Sequence, residues 1–458
     1  MELSDNEVTI KKRKQVDMLH GSLMDKLLFF ALPLAASSVL QQLFNSVDVA
    51  VVGHYANSQA QAAVGCNGSV INLLLNLFVG ISVGANVVIA SYIGQERKDK
   101  VKETVHTAMV VALFSGIFLL CLGIMIARPI LTWMNTPEDV LEQAILYLRI
   151  YFLGMPFIMI YNFGAAILRS IGDTKRPLYC LVISGVVNAG LNLFLVIVFH
   201  MGVAGVGIAT VISNVISACM ILYFLTHEQG IIHLSLKELK VVKTELIRIL
   251  KIGVPAGLQS MVFSFANVFI QKALNGYGSD AVAGSAVALN FEYYSYFVVS
   301  AFGQATVTFT SQNFGAEKYH RCKKIFKQTL SMCIFTIGCM SITFLLGKEF
   351  FIGLFTSKPE VAEYAAIRMV YLLTLYILLP TYEIGGAALR GIGYSMTPAI
   401  LTIFGTCILR LVWIYTVCKQ FTGFKTLMMV YPISWIITGI LVLTAYMIIR
   451  RKVFVQQS

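Results

Sequence analysis

From Thr104 to Ala127 the chain reads TVHTAMVVALFSGIFLLCLGIMIA, with no acidic or basic side chain apart from His106. About 20 apolar residues is the length an α-helix needs to cross the ~30 Å hydrocarbon core of a bilayer. Runs of this kind recur along all 458 residues, 57% of which are apolar and only 13% charged. Soluble domains carry roughly 25% charged residues. The runs predict spans at 27–53, 64–94, 104–127, 140–168, 178–199, 203–226, 246–274, 282–314, 325–347, 361–389, 397–418 and 426–449. The longer ones imply tilt, or a helix that continues past the bilayer. This composition excludes a cytosolic enzyme, a secreted disulfide scaffold and a disordered chain. An outer-membrane barrel is excluded because its strands alternate apolar and polar residues in segments of about ten.

The net charge of +12 is an orientation signal rather than a nucleic-acid one. Lys and Arg number 26 in the N-terminus, the even-to-odd loops and the C-terminus, but only 6 in the opposite loops. Arg149, Arg368 and Arg410 lie within spans. This bias places both termini in the cytoplasm of a multi-pass plasma-membrane protein. Residues 1–26 are polar, with Lys11, Lys12, Arg13 and Lys14 clustered. The apolar run after them is too long for a signal peptide. The nine cysteines (Cys66, Cys121, Cys180, Cys219, Cys322, Cys333, Cys339, Cys407, Cys418) form no C-x-x-C pair and are odd in number. They read as small buried apolar residues, with no structural metal expected.

An internal repeat sets the domain plan. Leu168-Arg169-Ser170-Ile171-Gly172 with Pro177 matches Leu389-Arg390-Gly391-Ile392-Gly393 with Pro398, an offset of 221. Pro33, Asn45 and Tyr55 match Pro255, Asn267 and Tyr277 at an offset of 222, and Gly94 and Glu96 match Gly315 and Glu317. Six spans per copy give both copies one orientation. The expected fold is an all-α polytopic membrane protein of twelve transmembrane helices. Its two six-helix lobes would be related by a pseudo-twofold axis along the membrane normal. The lobes would occupy 27–226 and 246–449, with a cytoplasmic tail at 1–26, a linker at 227–245 and a second tail at 450–458. In the linker, Ser235 and Glu238 have capping-box spacing. Leu236, Leu239, Val242, Leu246 and Ile249 would then share one face of an amphipathic helix on the cytoplasmic surface. Pro33, Pro156, Pro255 and Pro380 should bend spans 1, 4, 7 and 10. The matched pair Pro33 and Pro255 suggests hinges for the two lobes, and lipid-facing kinks are the plainer alternative.

Few acids lie deep in spans: Asp48, Glu292 and Glu383. A carboxylate at mid-membrane costs roughly 2.5–3.5 kcal/mol on insertion scales, so it must face a cavity, find a partner or hold a proton. Gln41, Asn45 and Asp48 share one helical face. Ser184, Asn188 and Asn192 form a row in the fifth span, and Thr210, Asn214 and Ser217 another in the sixth. Such oxygens suit Na⁺, or a proton on the carboxylate; the competing reading is amide and hydroxyl groups joining helices. Arg410 needs a counter-charge, with Glu383 and Glu292 the candidates, and that pair is structural or gating. Around Glu292, aromatic residues including Tyr293 and Tyr296 could hold an organic cation or form an interfacial belt. No metalloprotease or P-loop pattern occurs. Gly80-Ile81-Ser82-Val83-Gly84 matches G-x-S-x-G by letter, but it lies inside a span and reads as a small-residue packing face.

Pro33 with Asn45-Ser46-Val47-Asp48 and Val52-Gly53, Gly202-Val203-Ala204-Gly205 running into Ile208-Ala209-Thr210-Val211, and the two Leu-Arg-x-Ile-Gly…Pro segments together resemble the multidrug and toxic compound extrusion (MATE) family. The resemblance covers nearly the whole chain. It implies export of small organic cations or amphipathic drugs, driven by inward Na⁺ or H⁺, with no other cofactor, by a monomer in the lipid bilayer. The DinF-like branch implies a coupling site at Asp48, Asn188, Asn192 and Thr210. Asn192 departs from the family pattern, which often has Asp there. The seventh span, 246–274, lacks the glutamate many members carry. A lipid-linked oligosaccharide flippase is the alternative within transport, disfavoured because only three arginines lie within spans. A membrane-embedded enzyme or a receptor without transport is the alternative of another class.

Overall fold

The computed structural model describes residues 16–55, 58–134 and 136–455. The Lys11–Lys14 cluster, residues 456–458 and the side chain of Cys66 lie outside them. Among the described residues every regular element is helical. Twelve rods follow in order: α1 Met24–Tyr55, α2 Ser58–Gly94, α3 Lys98–Trp133, α4 (Glu138–Leu153 and Met155–Ser170), α5 Lys175–Val198, α6 Gly202–Thr226, α7 Lys243–Asn275, α8 Ser279–Gly315, α9 Tyr319–Leu346, α10 Pro359–Gly391, α11 Met396–Gln420 and α12 Phe424–Phe454. Ten are long and apolar enough to cross a bilayer, and eleven if the bent α4 counts as one span. The remaining rod is α8. Its 37 residues carry many polar side chains, but Glu292, Ser295, Thr306, Thr308, Gln312 and Asn313 are buried inside protein.

The α4 rod bends by 46° at Gly154, two residues before Pro156. In α10 a 3₁₀ turn at Tyr376–Leu378 precedes Pro380. By contrast, α1 and α7 run through Pro33 and Pro255 as unbroken helices. Two π-helical stretches, Phe194–Val198 in α5 and Ile403–Ile408 in α11, have no sequence marker.

The repeat is written into the backbone. Gly172 and Gly393 take φ of 86° and 89°, and Glu96 and Glu317 take 57° and 58°. After the two Leu-Arg-x-Ile-Gly segments, the N–H of Asp173 reaches the carbonyl of Leu168 at 3.1 Å, and that of Tyr394 reaches Leu389 at 2.9 Å. These are paired left-handed helix stops, where glycine avoids the Cβ clash.

The chain forms two compact units. One contains Leu32–Gly257; the other contains Met18–Ala31 and the chain from Leu258 onward. The divisions therefore fall inside α1 and α7, within two residues of Pro33 and Pro255, rather than in the 227–245 linker.

In the first unit, glycines let α2 and the start of α7 touch backbone to backbone. A Cβ on Gly80 would lie 2.2 Å from Gly257, and one on Gly84 would lie 2.3 Å from the Ile249 carbonyl. The G-x-S-x-G letters are thus a packing face, and the Ser82 hydroxyl donates to the Val79 carbonyl at 2.7 Å.

The linker differs from the expected amphipathic helix. Only Leu236–Glu238 turns, as a 3₁₀ helix without a side-chain cap, and α7 starts at Lys243. The capping box fails because α3 takes both of its groups. Lys102 holds the Glu238 carboxylate at 2.6 Å, and His106 Nε2 accepts the Ser235 N–H at 3.2 Å. Thr107 Oγ1 accepts the Val242 N–H, and Tyr92 donates to Glu245 at 2.8 Å.

The second unit holds an equivalent strap. Asn313 donates to the Met18 carbonyl at 3.0 Å, Lys318 to Leu19 at 3.1 Å, and Arg321 to Met18, His20 and Gly21. Met18 and Leu23 are buried, while His20, Gly21 and Ser22 are exposed.

Candidate functional site

In the first unit, α1 and α5 bring Asp48 and two amides together. Asp48 is 8% exposed, Asn188 6% and Asn192 0%. Asn192 Nδ2 donates to Asp48 Oδ1, and also lies 3.3 Å from Asn188 Oδ1. The spacing of four residues stacks the amides on one face of α5, aimed at α1. Asn192 Oδ1 is buried with no donor. None of the ion pairs formed among the described residues involves Asp48. A buried carboxylate without a cationic neighbour is costly unless it binds a cation or takes a proton. The oxygens of Asp48, Asn188 and Asn192 therefore form a compact acceptor set with no fixed positive charge.

Other residues expected on this face lie elsewhere. The Thr210 hydroxyl donates to the Val206 carbonyl of its own helix at 2.9 Å. Asn214 lies in the same helix, α6, and approaches Gly154 at the α4 break. Gln41 and Asn45 are exposed. Asn45 lines a cavity of about 650 Å³ along α1, with Gln42, Ser46, Val49, Gly53 and His54. Tyr147 and Tyr151 lie on the first half of α4, their ring centroids 6.0 Å apart.

The second unit corrects the expected charge pairing. Arg410 does not pair with Glu383 or Glu292. Arg368, one of the three arginines within spans, grips Glu292 through Nε at 2.6 Å and Nη2 at 3.0 Å. Tyr376 donates to the Glu292 carbonyl at 3.1 Å. The carboxylate expected to attract an organic cation is thus occupied by a guanidinium. Glu383 faces Arg390 at 3.9 Å, and Arg390 also donates to Gln259 at 3.1 Å. Tyr293 is exposed and stacks on Phe297, with centroids 6.2 Å apart, while Tyr296 is half-buried.

Six-span halves, a doubled sequence and a buried acid–amide cluster define a membrane transporter architecture. The MatE family model matches residues 33–194 and again residues 255–416, starting at the two aligned prolines. The chain belongs to the MatE family. It is 27% identical over 411 residues to the probable multidrug resistance protein YoeA of Bacillus subtilis (strain 168), covering 88% of each protein. It is 26% identical over 405 residues to the probable multidrug resistance protein NorM of Thermotoga maritima, covering 86% of each. Its fold is similar to that of a MATE protein crystallised in the bent conformation, with a TM-score of 0.90 at 21% identity, covering 96% of this chain and 98% of that one. An outward-facing multidrug resistance MATE family transporter of the MOP superfamily gives the same TM-score and coverage.

Proposed function

We propose that this chain is a secondary active efflux transporter that exports cationic or amphipathic organic compounds by antiport against Na⁺ or H⁺. The observation that carries the coupling step is Asp48: a buried carboxylate met by one amide N–H, beside an amide oxygen that lacks a donor. A Na⁺ ion would find the Asp48 carboxylate and the oxygens of Asn188 and Asn192. A proton would instead neutralise Asp48. In either case occupancy changes the charge of the cluster by one. Antiport needs ion and drug to favour different states of the protein, and this change supplies such a difference. Thr210 would join only by turning its hydroxyl from Val206. Pro33 and Pro255, each of which removes a backbone N–H inside its helix, would serve as hinges in α1 and α7. The multidrug naming of YoeA and NorM supports the substrate class. The 26-to-6 charge bias supports cytoplasmic termini and a cytoplasmic linker.

The test is dye or drug efflux from proteoliposomes under an imposed Na⁺ gradient or pH gradient, each alone. Efflux under one of them is expected. No acceleration under either gradient contradicts ion coupling.

A further inference from the structure

The two halves carry opposite charges on matching helix pairs, at different positions within them. Asn267 in α7 occupies the repeat position of Asn45, and the counterpart of Asp48 is Ile270. Arg410 in α11 stands level with Asn188 and Ala189 of α5, at offsets of 222 and 221. The helix pair that holds a carboxylate with amides in the first half therefore holds a guanidinium with an amide in the second.

Arg410 is 1% exposed. Its Nε donates to Ser434 Oγ and its Nη1 to Asn267 Oδ1, both at a long 3.4 Å. Its guanidinium carbon lies 4.6 Å from the Tyr431 ring centroid and 5.2 Å from that of Phe263. Two ring faces and two neutral oxygens fix the side chain without neutralising it. No carboxylate among the described residues forms an ion pair with it, because Glu292 is held by Arg368 and Glu383 faces Arg390. A buried cation without a counter-charge is costly and attracts an anion. Asn267, which accepts from Nη1, is itself exposed.

We propose that Arg410, Asn267 and Ser434 bind an anionic group, either a small inorganic anion or the carboxylate of a transported compound. A planar guanidinium presents paired donors that fit a carboxylate and also serve a halide. The site stands apart from Asp48, in the other compact unit, and does not depend on the coupling reading.

The experiment is equilibrium binding to the purified full-length protein, with radiolabelled chloride as one probe. A carboxylate-bearing rhodamine and its methyl ester are the others. Saturable chloride binding identifies a free anion as the ligand. Binding of the acid about tenfold tighter than the ester, without chloride binding, identifies the substrate carboxylate. Asn267→Asp sets an internal carboxylate against Arg410 and should weaken anion binding about tenfold or more. Arg410→Gln should do the same, and Asp48→Asn should leave anion binding intact. Absent chloride binding together with equal affinity for acid and ester overturns the proposal. So does anion binding that both second-unit variants retain in full.

Discussion

Arg368 grips Glu292 with two donors, Nε at 2.6 Å and Nη2 at 3.0 Å, across 76 residues of sequence. Both side chains are buried, at 4% and 8% exposure. Removing one member of such a pair strands the other charge and costs about 3–5 kcal/mol, whereas removing both is often nearly neutral. Glu292→Gln should therefore lower the thermal stability of the detergent-purified protein sharply. Glu292→Gln combined with Arg368→Gln should recover much of the loss. Strictly additive losses would show that the two charges are energetically independent.

The contact between α2 and the start of α7 leaves no space for a methyl group. A Cβ on Gly257 would lie 2.2 Å from the Leu77 carbonyl oxygen, while one on Gly303 meets nothing within 4 Å. Gly257→Ala should destabilise by about 1–3 kcal/mol through overpacking. Gly303→Ala, inside α8, should be neutral or slightly stabilising through helix propensity. Unfolding midpoints of the two variants check this, and equal midpoints would argue against close backbone packing at Gly257.

Features that depend on local pattern were legible in the sequence. Apolar run length marked the rods, the doubled Leu-Arg-x-Ile-Gly segments marked two matching left-handed stops, and Pro156 marked the α4 bend. Features set by long-range partners were not. Arg368 finds Glu292, so Arg410 and Glu383 do not meet, and no spacing rule reports that choice. The Ser235 and Glu238 capping box lost to Lys102 and His106, which lie far away in sequence. Asp48 with Asn188 and Asn192 was suggested by face and resemblance. The orphaned Asn192 oxygen required coordinates.

The linker strap has a defined pH response. The hydrogen bond from Lys102 holds the Glu238 carboxylate below its ordinary value of 4.5, against an opposing desolvation effect. The positive charge of Lys102 lowers it further. A carboxylate lowered on folding stabilises the contact fully above its unfolded pKa, and the contact is lost as pH falls through the lowered folded value. The part of the signal from an environment-sensitive dye on Ser235→Cys that depends on Glu238 should change only below about pH 5. Adding Glu238→Gln should give the low-pH signal throughout. A transition near pH 7 that survives Glu238→Gln would assign the response to another group.

The coupling role of Asp48 is the central claim, and Asp48→Asn tests it most directly because it keeps the side-chain shape while removing charge and titration. The decisive measurement is gradient-driven drug efflux from proteoliposomes containing equal amounts of folded wild-type and Asp48→Asn protein. Near-complete loss of gradient-driven efflux, with thermal stability close to wild type, is the predicted result. Wild-type efflux rates in the well-folded variant would contradict the account.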